Sequence, residues 1–228
     1  MNSDSEPMEP IERAKFIIRN RNEKEYTNAY SIFIQESKSG NPDAEYFLGL
    51  MYARGQGLPK DYKAARSWFD KAYLKGHIGA AYFLGKIYLI GLGVSKDVVR
   101  AEMLFRKASD VDVRAQYELG LIYFKDDTVP RDLEMSAEWM TRAAEGGHVE
   151  AQFVLGQFYK TGCGVEQNID KAIDWLVSAA LNRHTGAQIL LGNMYRLGDC
   201  VEVDKDESDR WYDMAEGSRN VSRDKLRR

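Results

Sequence analysis

The dipeptide Leu-Gly stands at Leu48-Gly49, Leu84-Gly85, Leu119-Gly120, Leu155-Gly156 and Leu191-Gly192, with glycine spacings of 36, 35, 36 and 36 residues. Three residues after each glycine comes Tyr52, Tyr88, Tyr123, Tyr159 or Tyr195, and five before it Ala44, Ala80, Ala115, Ala151 or Ala187. Several columns in phase at this period restrict the chain to one architecture, a supersecondary unit stacked on copies of itself.

Each unit has a second half with its own columns. Asp61, Asp97, Asp132, Asn168 and Asp204 each precede by four residues a small one: Ala65, Ala101, Ser136, Ala172 and Ser208. Seven residues after the opener stands Trp68, Leu104, Trp139, Trp175 or Trp211, and eleven after it Ala72, Ala108, Ala143, Ala179 or Ala215. Spacings of four, five and eight in the first half, and of four, seven and eleven in the second, each mark one face of a helix. Asp or Asn caps the second helix, so each unit is predicted to be a helical hairpin. A glycine within a helix costs about 1 kcal/mol against alanine, so its recurrence implies a helix–helix approach too close for a side chain. Gly55-Gln56-Gly57, Gly91-Leu92-Gly93 and Gly162-Cys163-Gly164 supply left-handed turns between the helices, and Gly198 keeps half of that pattern.

Before Asn41-Pro42, which reads as a cap and first-turn proline, lies a degenerate unit. Its Ala29, Ile32, Phe33 and Gly40 fall 36 residues before Ala65, Trp68, Phe69 and Gly76. Its first helix, around Ile11 to Asn20, lacks Leu-Gly, as suits an end cap. The expected organisation is a disordered segment at 1–10, a single solenoid at 11–217 with units of about 11–41, 42–77, 78–111, 112–148, 149–184 and 185–217, and a basic tail at 218–228.

The hairpins AEYFLGLMYARGQGLPKDYKAARSWFDKAYLKGH and AQFVLGQFYKTGCGVEQNIDKAIDWLVSAALNRH resemble the Sel-one-like repeat, a relative of the tetratricopeptide repeat. The resemblance implies an all-α fold, an α-solenoid of about five such repeats plus the degenerate unit. It implies a right-handed superhelix whose first helices line the concave face, and a function as an adaptor or scaffold for protein partners. Relatives include bacterial signalling, virulence, toxin-immunity and envelope proteins.

Composition narrows the function classes. The net charge of −3 gives no global attraction for nucleic acid. The start has no signal-peptide pattern, and the most apolar stretch, residues 78–94, is too short to span a bilayer. A cytoplasmic protein with no membrane partner is expected, and in a reducing compartment Cys163 and Cys200 stay free thiols. No nucleophile with a base, phosphate loop or dinucleotide fingerprint is found, so no enzyme activity and no cofactor are expected. His77, His148 and His184 share a column after the second helices; with no cysteine or paired carboxylate at ligand spacing, they are read as capping and packing residues, not a metal site.

Acidic residues gather on second helices (Asp70, Glu102, Glu134, Glu138, Asp170, Asp174, Asp209 and Asp213), the pattern of a solvated face. On the first helices the repeat phase places Arg54, Lys86, Lys125, Lys160 and Arg196 among Tyr46, Tyr82, Tyr117, Phe153, Leu50, Leu89, Leu121 and Phe124. Two accounts of the cations stand side by side, a groove for an acidic peptide or protein surface and favourable placement near helix C-termini. The aromatic column is likewise open between recognition and packing. The candidate partner-binding set is Arg54, Tyr82, Lys86, Leu89, Tyr117, Phe124, Lys125, Gln157, Lys160, Asn193 and Arg196. Alternative functions are an immunity or inhibitor protein that grips a cognate toxin, and an enzyme with an unrecognised site. In the third full unit Asp126-Asp127-Thr128 replaces the glycine triplet, either a kink or partner-specific loop or simple drift in a tolerant turn.

Overall fold

The structure, a computed structural model, describes residues 8–125 and 128–226, with side chains through Ser218. Asp126 and Asp127, and the disordered segment expected over the first residues, lie outside these except for residues 8–10. Among the described residues every regular element is helical. The chain divides into two compact units at Asp112 and Val113.

The first unit contains α1 (Pro10–Arg19), α2 (Tyr26–Lys38), α3 (Pro42–Arg54), α4 (Tyr62–Leu74), α5 (Ile78–Ile90) and α6 (Val98–Ala108), each packed on the next. A short 3₁₀ turn, Glu23–Glu25, precedes α2. The second unit contains α7 (Val113–Lys125), α8 (Leu133–Glu145), α9 (Val149–Thr161), α10 (Ile169–Leu181), α11 (Thr185–Leu197) and α12 (Lys205–Leu226), again in series. The repeated helical hairpins of an α-solenoid are thus present in both units. Pro10 opens α1, and α12 carries its backbone through the basic tail as far as Leu226.

The hairpins close by the same bonds each time. The opener's backbone N–H donates to the carbonyl of the recurring tyrosine, Asp61 to Tyr52 and Asp97 to Tyr88 in the first unit at 3.0 and 2.9 Å. Asp132 to Tyr123, Asn168 to Tyr159 and Asp204 to Tyr195 repeat the bond in the second unit at 3.0, 2.9 and 2.9 Å. The opener's side chain then caps the second helix: the Asp97 carboxylate accepts from Arg100 N–H and the Asn168 amide oxygen from Lys171 N–H, both at 2.9 Å. A cap of this kind stabilises by about 1 kcal/mol.

The Leu-Gly glycines mark close helix contacts. A Cβ on Gly85 would fall 2.6 Å from the Phe105 ring, and one on Gly156 2.7 Å from Leu176 Cγ. The residue beneath each glycine lies eight after the opener (Phe69, Phe105, Met140, Leu176, Tyr212), one position beyond the tryptophan column. Trp68 and Trp175 are only half-buried, whereas Phe69, Phe105, Met140 and Leu176 are fully enclosed. Where the small residue is serine, its hydroxyl adds a bond across the hairpin: Ser136 Oγ donates to Gly120 O at 2.7 Å and Ser208 Oγ to Gly192 O at 2.9 Å.

Candidate binding surface

Positions one, four and five residues after each Leu-Gly glycine vary from hairpin to hairpin and contribute nine of the eleven candidate residues. They lie in the last turns of the first helices, which end in left-handed glycines such as Gly55 (φ 70°) and Gly162 (φ 74°).

In the first unit, Arg54 is exposed at the end of α3, and Lys86 and Leu89 are half-buried on α5. Tyr82 packs edge-on against Phe83 and tilts over Phe105, with ring centroids 5.2 and 5.9 Å away. Tyr46 stacks on the His77 imidazole at 4.2 Å. Burial pushes the His77 pKa below its ordinary value, against the pull of Asp43. Phe33 stacks on Phe47 and Phe69 on Phe83, both at 5.2 Å, so rings continue from hairpin to hairpin.

In the second unit, Tyr117 stacks on His148 at 4.4 Å and Phe153 on His184 at 4.3 Å. Burial raises the Tyr117 hydroxyl to about 12, with Glu150 and Glu118 adding to it. His148 and His184 also cap the helices that follow, each Nδ1 accepting from a backbone N–H, Ala151 at 3.2 Å and Ala187 at 3.0 Å. Stacking thus runs through the whole histidine column, with Tyr46, Tyr117 and Phe153 each using a ring face on it, whereas capping belongs to His148 and His184 and the His77 side chain makes no cap bond.

The cations differ among themselves. Lys160 Nζ lies 2.8 Å from the Asp199 carboxylate of the next hairpin. Arg196 donates to Asn193 Oδ1 at 3.1 Å and stacks its guanidinium over Tyr212, while Tyr212 Oη donates to the same oxygen at 2.7 Å. Asn193 thus serves within its own hairpin. Phe124 rests against Phe158 at 5.3 Å. Lys125 and Gln157 stand exposed at the ends of their variable columns.

Two groups of residues were not singled out from the sequence. Gln152 and Gln188, both buried, donate to Ala144 O at 3.2 Å and Ala180 O at 2.9 Å, tying one second helix to the following first helix. Their common place, one after the recurring alanine, was the available signal. Arg19 and Arg21 share a cleft with Arg54, and the 36-residue phase that aligns the degenerate unit would have placed them beside the α3 turn.

Among the described residues, no group of three or more His, Cys, Asp or Glu is placed to hold a metal ion, and no helix is long and apolar enough to cross a membrane. Cys163 and Cys200 are free thiols. Of the acidic second-helix residues most are exposed, but Asp70 is half-buried and its carboxyl is raised by that burial, against Arg66 and Arg100.

Residues 42–77, 78–112, 113–148, 149–184 and 185–216 match the family profile of the Sel1 repeat. The chain belongs to the Sel1 repeat family. A Sel1 repeat protein from Oxalobacter formigenes is 27% identical, with a TM-score of 0.79 over 92% of this chain and 84% of that one. A protective antigen present in uropathogenic Escherichia coli strains, which displays the same fold, is 32% identical with a TM-score of 0.80, covering 91% of this Sel1 chain and 48% of the antigen. An immunity protein from Pseudomonas aeruginosa shares the fold at 18% identity and a TM-score of 0.57, over 93% and 83% of the two chains. No curated protein matches the Sel1 array described here.

Proposed function

We propose that this Sel1 repeat chain is a non-enzymatic adaptor that binds a protein or peptide through the first-helix faces of its two compact units. Sel1 repeat proteins are generally protein-interaction modules. The observation that carries the proposal is a division of labour along the first helices. Recurring groups are spent internally, the tyrosine carbonyls on hairpin closure and the rings of Tyr46, Tyr117 and Phe153 on histidines. Exposed variable positions carry Arg54, Lys125, Gln157 and Arg196, side chains able to make charge-assisted or amide hydrogen bonds to a partner. Dispersed groups of this kind suit a surface contact; a catalytic centre needs convergent groups in one pocket.

A narrower form of the same reading is neutralisation of a cognate protein by direct binding. The Pseudomonas aeruginosa immunity protein supports it through a likeness of fold alone. Affinity capture from the native cell lysate tests both forms: the adaptor reading predicts a stoichiometric protein partner, the narrower one a partner whose own activity stops on binding. Recovery of a turned-over small molecule with no protein would contradict both.

A further inference from the structure

The end unit breaks the repeat rule where three cations meet. Thirty-six residues before Gly55-Gln56-Gly57, the turn that follows α3, stands Arg19-Asn20-Arg21, the turn that follows α1. Gly57 and Arg21 share the left-handed backbone, with φ of 73° and 53°. A side chain with a Cβ is disfavoured there and glycine is not, so an arginine at this turn works against local stability. Arg19, Arg21 and Arg54 line one cleft of about 370 Å³, floored by Tyr46, Phe47 and Leu50. All three arginines are exposed, and none of them makes an ion pair among the described residues.

We propose that this cleft docks a short acidic segment of a partner protein, its carboxylates on the three guanidinium groups and an apolar side chain against Tyr46, Phe47 and Leu50. The proposal rests on the protein-binding reading above and gives that reading a place and a partner chemistry. Guanidinium groups match carboxylates in bidentate geometry and are less strongly hydrated than ammonium groups. Three like charges around one cleft repel each other, and an acidic ligand relieves that repulsion. The apolar floor, with Phe47 8% and Leu50 4% exposed, suits a peptide side chain better than a phosphodiester backbone, and the net charge of −3 works against a long polyanion.

The test uses the full chain and a fluorescent, end-capped peptide in which aspartates and glutamates flank a Leu-Phe pair. Saturable binding is expected, weakened about tenfold or more by Arg21→Gly and further by the Arg19→Glu/Arg21→Gly/Arg54→Glu triple variant, with Lys107→Glu, on an exposed second-helix position, unchanged. Because glycine suits the turn, Arg21→Gly should melt at the same temperature or higher, which separates lost binding from lost folding. No binding by the wild-type chain, equal binding by Arg21→Gly, or stronger binding of an oligothymidylate would each overturn the cleft. Undiminished capture of the native partner by the triple variant would also overturn it while leaving the protein-binding reading intact; a wild-type chain that captures no protein would overturn that reading itself.

Discussion

The Phe105 ring occupies the space that a side chain on Gly85 would need, its Cε1 2.6 Å from where that Cβ would be. Phe105 is completely buried, so the ring has little room to retreat. Gly85→Ala improves helix propensity by about 1 kcal/mol, yet the clash should reverse the sign and leave a net loss of about 1–3 kcal/mol. Gly217 is the control, for nothing lies within 4 Å of a Cβ built on it within α12. Gly217→Ala should gain up to about 1 kcal/mol. Thermal or urea unfolding measures both, and a stabilised Gly85→Ala would defeat the close-contact explanation of the repeat.

The burial of His77, stacked on Tyr46, makes stability pH-dependent in one direction. Burial lowers the His77 pKa, so at acid pH the unfolded chain takes up that proton more readily than the folded one. The contribution is complete above the ordinary histidine value near ~6.5 and is lost as pH falls from there through the folded pKa. His77 Nδ1 is buried without a hydrogen bond, so His77→Phe keeps the stack and loses little. Melting curves between neutral and mildly acid pH should show an acid-sensitive component in the wild type that is absent from His77→Phe; identical profiles would remove His77 as the source.

Asp199 titrates below the usual carboxylate range because Lys160 donates to it, with Cys200 assisting. Asp199 is exposed to solvent and Lys160 half-buried, so the effect of the pair on melting should be small. Its readout is the carboxyl titration itself. By NMR, Lys160→Met should move the Asp199 midpoint upward toward the ordinary aspartate value, and an unmoved midpoint would show that the contact is not kept in solution. What the pair contributes is present above the unfolded-state aspartate pKa and is lost as pH falls through the folded one.

Ser136 and Gly120 join the two helices of one hairpin through a buried hydroxyl at 2.7 Å from the carbonyl. Alanine occupies the same column at Ala65, Ala101 and Ala172, so the site tolerates the smaller side chain. Ser136→Ala should therefore cost about 0.5–1.5 kcal/mol, the net worth of one hydrogen bond, with no change of fold. A loss well beyond that range would mean that the hydroxyl supports more than one helix contact.

These relationships show which parts of the molecule were legible in the sequence. The hairpins, their caps and the Leu-Gly contacts could be read because each uses the same residue type at the same phase. The side chain under the glycine could not, because Phe69, Phe105, Met140, Leu176 and Tyr212 fill that space with different chemistry. The tryptophan column drew attention by its letter and lies one position off the deepest packing. The aromatic and histidine columns were both visible, but their stacking joins positions 31 residues apart, such as Tyr46 and His77, with a whole helix between them. Lys160 with Asp199 occurs once, so periodicity carried no signal for it; the repeat phase aligns Arg19 and Arg21 with the turn after α3 but does not show the cleft they form with Arg54.

The central claim is that binding energy resides in the variable first-helix residues. Isothermal titration of the captured partner against Arg54→Glu/Lys125→Glu, beside a second-helix control of Glu134→Lys/Glu138→Lys, tests it most directly. The first-helix variant should weaken affinity about tenfold or more at unchanged melting temperature, and the control should bind as the wild type does. Full affinity in the first-helix variant with loss in the control would place the interface on the opposite helices and contradict the account.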